Sequence, residues 1–108
     1  MTPDFQPPTF DQYGYPSDEL LDYISRLSPL EHDPFEIAEY INECWHWNNM
    51  SWWINRNSHE GCWTISTGGW SGNESIISAL RKSLWWMCYW YREERGGHFW
   101  FKIRRLEK

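Results

Sequence analysis

A glycine-rich turn at residues 67–74 (T-G-G-W-S-G-N-E) most constrains how this 108-residue chain can fold. An alternating segment, residues 62–66 (C-W-T-I-S), precedes the turn, and a segment with aliphatic residues at helical spacing follows it. Glycines adopt backbone conformations that other residues avoid, so such a turn can carry a strand directly into a helix. Ser71 is predicted as the N-cap of that helix, and Glu74 completes a capping box. The centre of the chain therefore predicts a strand–turn–helix unit.

The flanking segments extend this unit to a predicted order of α-α-β-β-α-β-β. The sequence Asp33-Pro34-Phe35-Glu36 combines an N-cap, a first-turn proline and a capping-box glutamate, which together indicate a helix start. The predicted elements are helices at about 17–27, from 34 onward and at about 73–82, and strands at 52–56, 62–66, 84–92 and 98–104. Periodicity alone leaves open whether residues 84–92 form a strand or a buried helix.

The predicted fold class is therefore α+β: two N-terminal helices, then β-β-α-β-β with a mainly antiparallel four-stranded sheet covered by helices. Residues 1–16 are rich in proline and are predicted to be an extended or flexible segment, which Tyr13 and Tyr15 can dock onto the domain. Residues 17–108 are predicted to form a single domain, since the length suits one hydrophobic core.

Charge and aromatic content narrow the classes of partner. Residues 1–60 carry 11 acidic and 2 basic side chains, which gives a net charge of -9. Residues 61–108 carry 4 acidic and 8 basic side chains, which gives +4. This asymmetry fits a charged partner or internal pairing of the two halves, and the net charge of -5 argues against general duplex DNA binding. The 10 Trp exceed what so short a chain can bury, which favours a ligand pocket or a homodimer interface.

Cysteine and histidine spacing predicts neither a metal site nor a cofactor. Cys44, Cys62 and Cys88 are odd in number and widely spaced, which is typical of free thiols in a reducing compartment. The N-terminus lacks signal-peptide features, and the longest apolar run is too short for a bilayer, so the prediction is cytoplasmic localisation without membrane association. No catalytic residue follows from spacing alone.

The glycine-rich turn is the first half of the predicted ligand site. A helix N-terminus offers unpaired backbone N–H groups and a positive dipole end, which suit a phosphate or carboxylate. Trp70 between glycines suggests a ring that stacks on a planar group, although a tight turn with Trp70 folded into the core is an equal alternative. The residues predicted to bind ligand here are Thr67, Gly68, Gly69, Trp70, Ser71, Gly72 and Asn73.

A basic aromatic face is the second half of that site. Alternation in the last strand places His98, Trp100, Lys102 and Arg104 on the side away from Phe99. A tryptophan among cations suits a nucleobase with its phosphate, and the alternative is a solvated face that protects a sheet edge. The residues predicted to bind ligand here are Arg95, Gly96, Gly97, His98, Trp100 and Lys102.

The two glycine motifs also carry a resemblance. The strings T-G-G-W-S-G-N-E-S-I-I and R-G-G-H-F-W-F-K-I, with the acidic helical segments before them, resemble a family of small, largely uncharacterised bacteriophage accessory proteins. The resemblance covers the chain beyond about Tyr15 and brings no mechanism. It implies an accessory protein in a bacterial cytoplasm, where such proteins often counter host defence.

Three functions follow as hypotheses. The first is an anti-defence protein that sequesters a nucleotide-type signalling molecule at the two glycine turns. The second is an acidic inhibitor of a host defence protein, acting through Glu36, Glu39 and Glu43. The third is a small hydrolase that uses Cys62, His98 or Glu74.

Overall fold

The computed structural model describes residues 5–47 and 50–105, in which four helices pack on a four-stranded antiparallel sheet. The α+β class predicted from the sequence is confirmed. In chain order the elements are α1 (Asp18–Ser25), α2 (Pro34–Cys44), β1 (Ser51–Ile54), β2 (Glu60–Ser66), α3 (Ser71–Leu80), α4 (Leu84–Tyr89), β3 (Trp90–Glu94) and β4 (His98–Arg104).

Side-chain caps fix the starts of the first two helices. The Ser17 hydroxyl accepts a hydrogen bond from the Leu20 backbone N–H at 3.1 Å. The Asp33 carboxylate accepts from the N–H groups of Phe35 at 3.1 Å and Glu36 at 3.2 Å. These caps satisfy backbone donors that have no partner within the helix. The N-cap predicted at Asp33 is therefore confirmed.

The order of the strands is β1-β2-β4-β3, so β2 and β4 form the centre of the sheet. Trp63 of β2 lies between Trp53 of β1 and Phe101 of β4, and Phe101 pairs in turn with Trp90 of β3. The register shifts between Trp90 and Arg92, which marks an irregularity in the β3–β4 pairing. Strand β2 thus brings together two strands that are distant in the sequence.

One face of the sheet carries the core. The rings of Trp63 and Phe101 lie 5.6 Å apart, and Trp85 of α4 contacts Phe101 at 4.9 Å. Ile65, Phe99 and other side chains of this face belong to the same buried cluster as residues from all four helices. The helices therefore cover this face, which leaves the opposite face as the available surface of the sheet.

The predicted strand at residues 84–92 is wrong in its first two thirds. Residues 84–89 are helix α4, and β3 begins only at Trp90. Trp85, Trp86 and Tyr89 are all buried, an i, i+1, i+4 pattern that a helix can direct to one side and a strand cannot. The Ser83 hydroxyl caps this helix by accepting from the Trp86 N–H at 3.1 Å. The order is therefore α-α-β-β-α-α-β-β.

The described part of the N-terminal segment is docked on the domain and folds back on itself, with Phe10 and Pro16 forming an antiparallel bridge. Phe5 is buried and stacks on Tyr40 at 4.8 Å, while the Gln6 carbonyl accepts from the Tyr40 hydroxyl at 2.7 Å. Tyr15 stacks on Trp70, whereas Tyr13 remains 74% exposed. Within the described residues, none of the helices combines the length and apolar character that crossing a bilayer requires.

Candidate functional site

The sheet brings the two glycine turns together. The Thr67 N–H donates to the Gly97 carbonyl at 3.0 Å, directly beyond the paired residues Ser66 and His98. Gly97 has a φ of +80°, and a Cβ atom there would lie 2.2 Å from Thr67 Oγ1. Glycine is thus required at residue 97 both by backbone conformation and by the close approach of the other turn. The two halves of the predicted site are adjacent in space.

Most of the glycine-rich turn is occupied by packing within the protein. Cβ atoms at Gly68 and Gly72 would lie 2.7 Å from the Trp47 ring and 2.2 Å from the Trp70 ring. Trp70 contacts the ring of Tyr15 at 5.0 Å and that of His46 at 4.6 Å. Trp70 therefore already has aromatic neighbours, which weakens its predicted role as a stacking platform for ligand.

The predicted capping box at Ser71 and Glu74 is wrong. Helix α3 begins at Ser71, its N-cap is Trp70, and no side chain caps it. The Ser75 hydroxyl donates to the Ser71 carbonyl at 3.0 Å instead. Trp70 takes the extended N-cap conformation because its ring lies against Gly72, so packing rather than a hydroxyl fixes the helix start.

Asn73 is a structural residue. It is fully buried, and its Oδ1 atom accepts from the His46 N–H at 3.0 Å. Its Nδ2 group donates to the carbonyls of His46 at 3.0 Å and Thr67 at 3.2 Å. Both ends of the amide are thereby engaged in tying the segment before β1 to the glycine-rich turn. These contacts leave the Asn73 side chain little capacity to bind a ligand.

The residues of β4 that were predicted as the second half of the ligand site, His98, Trp100 and Lys102, lie on the sheet face that points away from the helices. In β4, exposed or half-buried residues alternate with buried ones, which agrees with the predicted alternation. The pairing places Trp52 and Trp100 on either side of Thr64, and Ile54 and Lys102 on either side of Cys62. We call this surface the outer sheet face; it is formed by Trp52, Ile54, Cys62, Thr64, Tyr91, Arg92, Trp100 and Lys102.

Trp52 and Trp100, which lie on this face, differ from the other eight of the ten tryptophans in their contacts. Trp45 is buried and its indole N–H donates to the Ser66 carbonyl, while seven further indoles contact another aromatic ring. Across residues 5–47 and 50–105, Trp52 and Trp100 make no such ring contact. Trp52 is 49% exposed and Trp100 is half-buried. Their ring faces are therefore not taken up by stacking on another ring of the described chain.

Cations and a phenol complete the outer sheet face. The guanidinium of Arg92 lies 4.8 Å from the Trp100 ring and pairs with the Glu94 carboxylate. The ammonium of Lys102 lies 4.5 Å from the Tyr91 ring, and within the described ranges it forms no ion pair. The Tyr91 hydroxyl lies 3.6 Å from Cys62 Sγ, and this contact raises the pKa of Tyr91. Lys102 is thus the cation most available to an anionic ligand.

The predicted ligand-binding residues fall into two groups. Thr67, the glycines and Asn73 belong to the turn region, whereas Trp100 and Lys102 belong to the outer sheet face. His98 lies between them, with its Nδ1 atom 2.6 Å from the buried Ser66 hydroxyl. Lys102 lies four residues from His98 along β4, a distance of about 13 Å. The backbone at Lys102 is therefore well separated from the glycine-rich turn.

Sequence reasoning missed Trp52, Thr64 and Tyr91 as members of the outer sheet face. The alternation of β4 identifies Trp100 without any knowledge of its neighbours. Trp52 joins it only because β2 pairs with both β1 and β4. Tyr91 joins through the register shift in β3, which periodicity does not reveal. The strand character of residues 52–56 was the available signal.

The geometry does not assemble the residues of the hydrolase hypothesis. Cys62 pairs with Lys102, whereas His98 pairs with Ser66, four residues away along β2, so thiol and imidazole lie about 13 Å apart. Within the described part of the chain, no three His, Cys, Asp or Glu side chains are placed to hold a metal ion.

Several charges of the acidic half are paired within the protein. Arg104 pairs with Glu60 at 3.2 Å and Arg105 with Asp33 at 3.3 Å, which joins the two charge halves. Glu39, one of the predicted inhibitor residues, pairs with Arg56 at 3.4 Å. These contacts favour internal pairing as the explanation of part of the charge asymmetry.

Comparison with protein families, with curated proteins and with solved structures finds no match to this chain.

Proposed function

We propose that this protein binds a nucleotide-type molecule on its outer sheet face and sequesters it. The observation that carries the proposal is the placement of Trp52 and Trp100, whose indole rings contact no aromatic ring of the described chain, on a surface that also holds Lys102. Every nucleobase has a flat face that can stack on an indole, and a lysine ammonium complements phosphate. A sheet with aromatic side chains on its open face is a known platform for bases.

The charge of the face suits a small ligand better than a long polyanion. Arg92 shares its charge with Glu94, and Arg104 shares its charge with Glu60. Lys102 contributes the main uncompensated positive charge among the described residues of this face. One or two phosphates match this charge, whereas nucleic acid binding relies on many phosphate contacts.

Sequestration is favoured over conversion because the pairing of β2 with β4 places Cys62 and His98 four strand positions apart, too far for these two side chains to act together. Combined with the bacteriophage resemblance, this leads us to propose an anti-defence role in which the ligand is a signalling nucleotide of the host. The chain would lower the free concentration of that signal by binding it.

A thermal-shift panel followed by calorimetric titration tests the proposal. The panel contains mononucleotides, cyclic dinucleotides and ADP-ribose, and we expect a saturable rise in Tm with at least one of them. Trp100→Ala should weaken binding of that ligand about tenfold or more, since base–aromatic stacking contributes roughly 1–3 kcal/mol. Lys102→Glu should weaken binding of the phosphorylated ligand but not of its nucleoside.

Matched controls separate the outer sheet face from the glycine-rich turn. Trp47→Ala removes an exposed indole beside the turn, and Lys82→Glu reverses an exposed charge on the helix side. Both variants should bind as the wild type does. Loss of binding in Trp47→Ala with retention in Trp100→Ala would move the site to the turn, and the absence of any Tm shift across the panel would refute nucleotide binding.

A further inference from the structure

One polar group on the outer sheet face lacks a partner. Thr64 is only 1% exposed, and its Oγ1 atom forms no hydrogen bond within the described residues. It lies in the central strand β2, on the face away from the helices, directly between Trp52 and Trp100. A buried hydroxyl without a partner is unfavourable, and nearly all buried polar groups in native proteins are hydrogen-bonded. This hydroxyl therefore needs an explanation.

The two indoles explain why Thr64 is covered. They project from the strands on either side of Thr64, so their Cα atoms are about 10 Å apart. Thr64 has a short side chain, and at 1% exposure its hydroxyl lies beneath the two large rings. Aromatic rings that stack with an offset have centroids from about 4.5 Å apart, so two indoles whose Cα atoms have this separation can turn to hold one planar ring between them.

Of the two indoles, Trp52 is the one whose ring can turn away from Thr64. It is 49% exposed, and no aromatic ring of the described chain holds it in place. Trp100 is held on its other side by Arg92, whose guanidinium lies 4.8 Å from the ring. Rotation of the Trp52 side chain would separate the two rings, uncover the Thr64 hydroxyl and admit a flat ligand, over which the indole could then close.

We propose that Trp52 and Trp100 enclose the heterocyclic base of the ligand and that the Thr64 hydroxyl forms a hydrogen bond with the edge of that base. This assignment rests on the proposed nucleotide binding and specifies how the ligand is held. A threonine hydroxyl both donates and accepts, so it can pair with a ring nitrogen or with an exocyclic amino group. Lys102, two residues from Trp100 on the same face, then neutralises the phosphate.

Titration of three proteins with a matched pair of ligands tests the assignment. The proteins are the wild type, Thr64→Val and Thr64→Ser, and the ligands are the nucleotide selected by the panel and the corresponding ribose phosphate without its base. Thr64→Val replaces the hydroxyl by a methyl group of similar size and should raise the Kd for the nucleotide about tenfold. Thr64→Ser keeps the hydroxyl and should stay within about threefold of the wild type. The ribose phosphate should bind weakly and equally to all three proteins.

The unliganded proteins supply an independent readout. Because Thr64 Oγ1 has no partner, Thr64→Val should fold and keep a Tm equal to or above that of the wild type. Trp52→Ala is the second variant, and it should lose nucleotide affinity while leaving the core intact.

The outcomes separate this assignment from the proposed function. If the wild type binds a nucleotide but Thr64→Val binds it equally well, base recognition by Thr64 is refuted and nucleotide binding stands. If the ribose phosphate binds as tightly as the nucleotide, the base is not enclosed and the assignment is likewise overturned. If the wild type binds no nucleotide, both proposals fail.

Discussion

Asn73 shows at the scale of one residue how a side chain that suggests ligand binding can be committed to the fold. Its amide forms three hydrogen bonds with the backbone of His46 and Thr67. The side chain is completely buried. It replaces the backbone pairing that the irregular segment before β1 lacks, which is the usual reason for a buried amide in a loop region.

Asn73→Asp should strongly destabilise the protein. The substitution removes the amide donor and places a carboxylate against two backbone carbonyls in a buried position, so we expect a loss of more than about 3 kcal/mol of unfolding free energy. Urea denaturation measures this loss. Asn42→Asp is the matched control, because the Asn42 side chain accepts from the Ser51 hydroxyl and a carboxylate can do the same. The control should cost less than about 1 kcal/mol, and equal losses in the two variants would contradict the assigned role of Asn73.

At the scale of elements, the two glycine turns meet where β2 ends and β4 begins. The backbone hydrogen bond from Thr67 to Gly97 continues the pairing of the strands for one further residue. The Thr67 side chain fills the space that a Cβ atom at Gly97 would need. The turn before β4 is thus shaped by the turn after β2.

A pair of glycine substitutions tests this coupling. Gly69 and Gly97 both have positive φ, at +77° and +80°, but a Cβ atom meets nothing within 4 Å at Gly69 and lies 2.2 Å from Thr67 Oγ1 at Gly97. Both alanine variants bear the backbone strain, about 1–2 kcal/mol. Gly97→Ala should lose a further 1–3 kcal/mol or so through overpacking, because Thr67 is buried and stiff. Equal unfolding free energies for the two variants would show that the turns are not tightly coupled.

The elements that the sequence predicts well are those with a local signal. Asp33 and Pro34 mark a helix start, and β4 alternates cleanly. The sequence does not decide between strand and helix for α4 because its six residues are all apolar, and so short a segment does not show its period without knowledge of which side chains are buried. This helix begins at Ser83, whose capping role becomes evident in three dimensions.

At the scale of the whole molecule, the core and the outer sheet face lie on opposite sides of one sheet. Cys44 lies within the core and is 3% exposed, and burial raises the pKa of its thiol to about 12. Cys88 is exposed on α4 and Cys62 is half-buried on the outer sheet face. The three thiols therefore report on three different parts of the molecule.

Thiol alkylation at pH 8 should distinguish local from global opening. Cys88 should react in the native protein, whereas Cys44 is both buried and protonated at this pH and should react only when the chain unfolds. The fraction of Cys44 modified as urea increases, measured by mass spectrometry, should follow the unfolding curve from circular dichroism. Cys88→Ser should remove the fast phase. Modification of Cys44 in native buffer at the rate of Cys88 would show that the core opens locally.

The candidate site could be predicted from the sequence only in part. Alternation assigns Trp100 and Lys102 to one face, because it depends on neighbours along a single strand. Trp52 lies 48 positions before Trp100 in the sequence, and the two meet across Thr64 only through the strand order β1-β2-β4. The glycine-rich turn and the sheet face both have the residue types of binding motifs, and the sequence contains no measure of the distance between them.

The packing of the glycine-rich turn has a consequence for how related sequences would be interpreted. Gly68 accommodates Trp47, Gly72 accommodates Trp70, and Asn73 joins two loops through its amide. Selection for a chain that folds is enough to maintain these residues, whatever the protein binds. Homologues that share T-G-G-W-S-G-N-E would therefore share an architecture, and differences in what they recognise would appear at Trp52, Thr64 and Lys102.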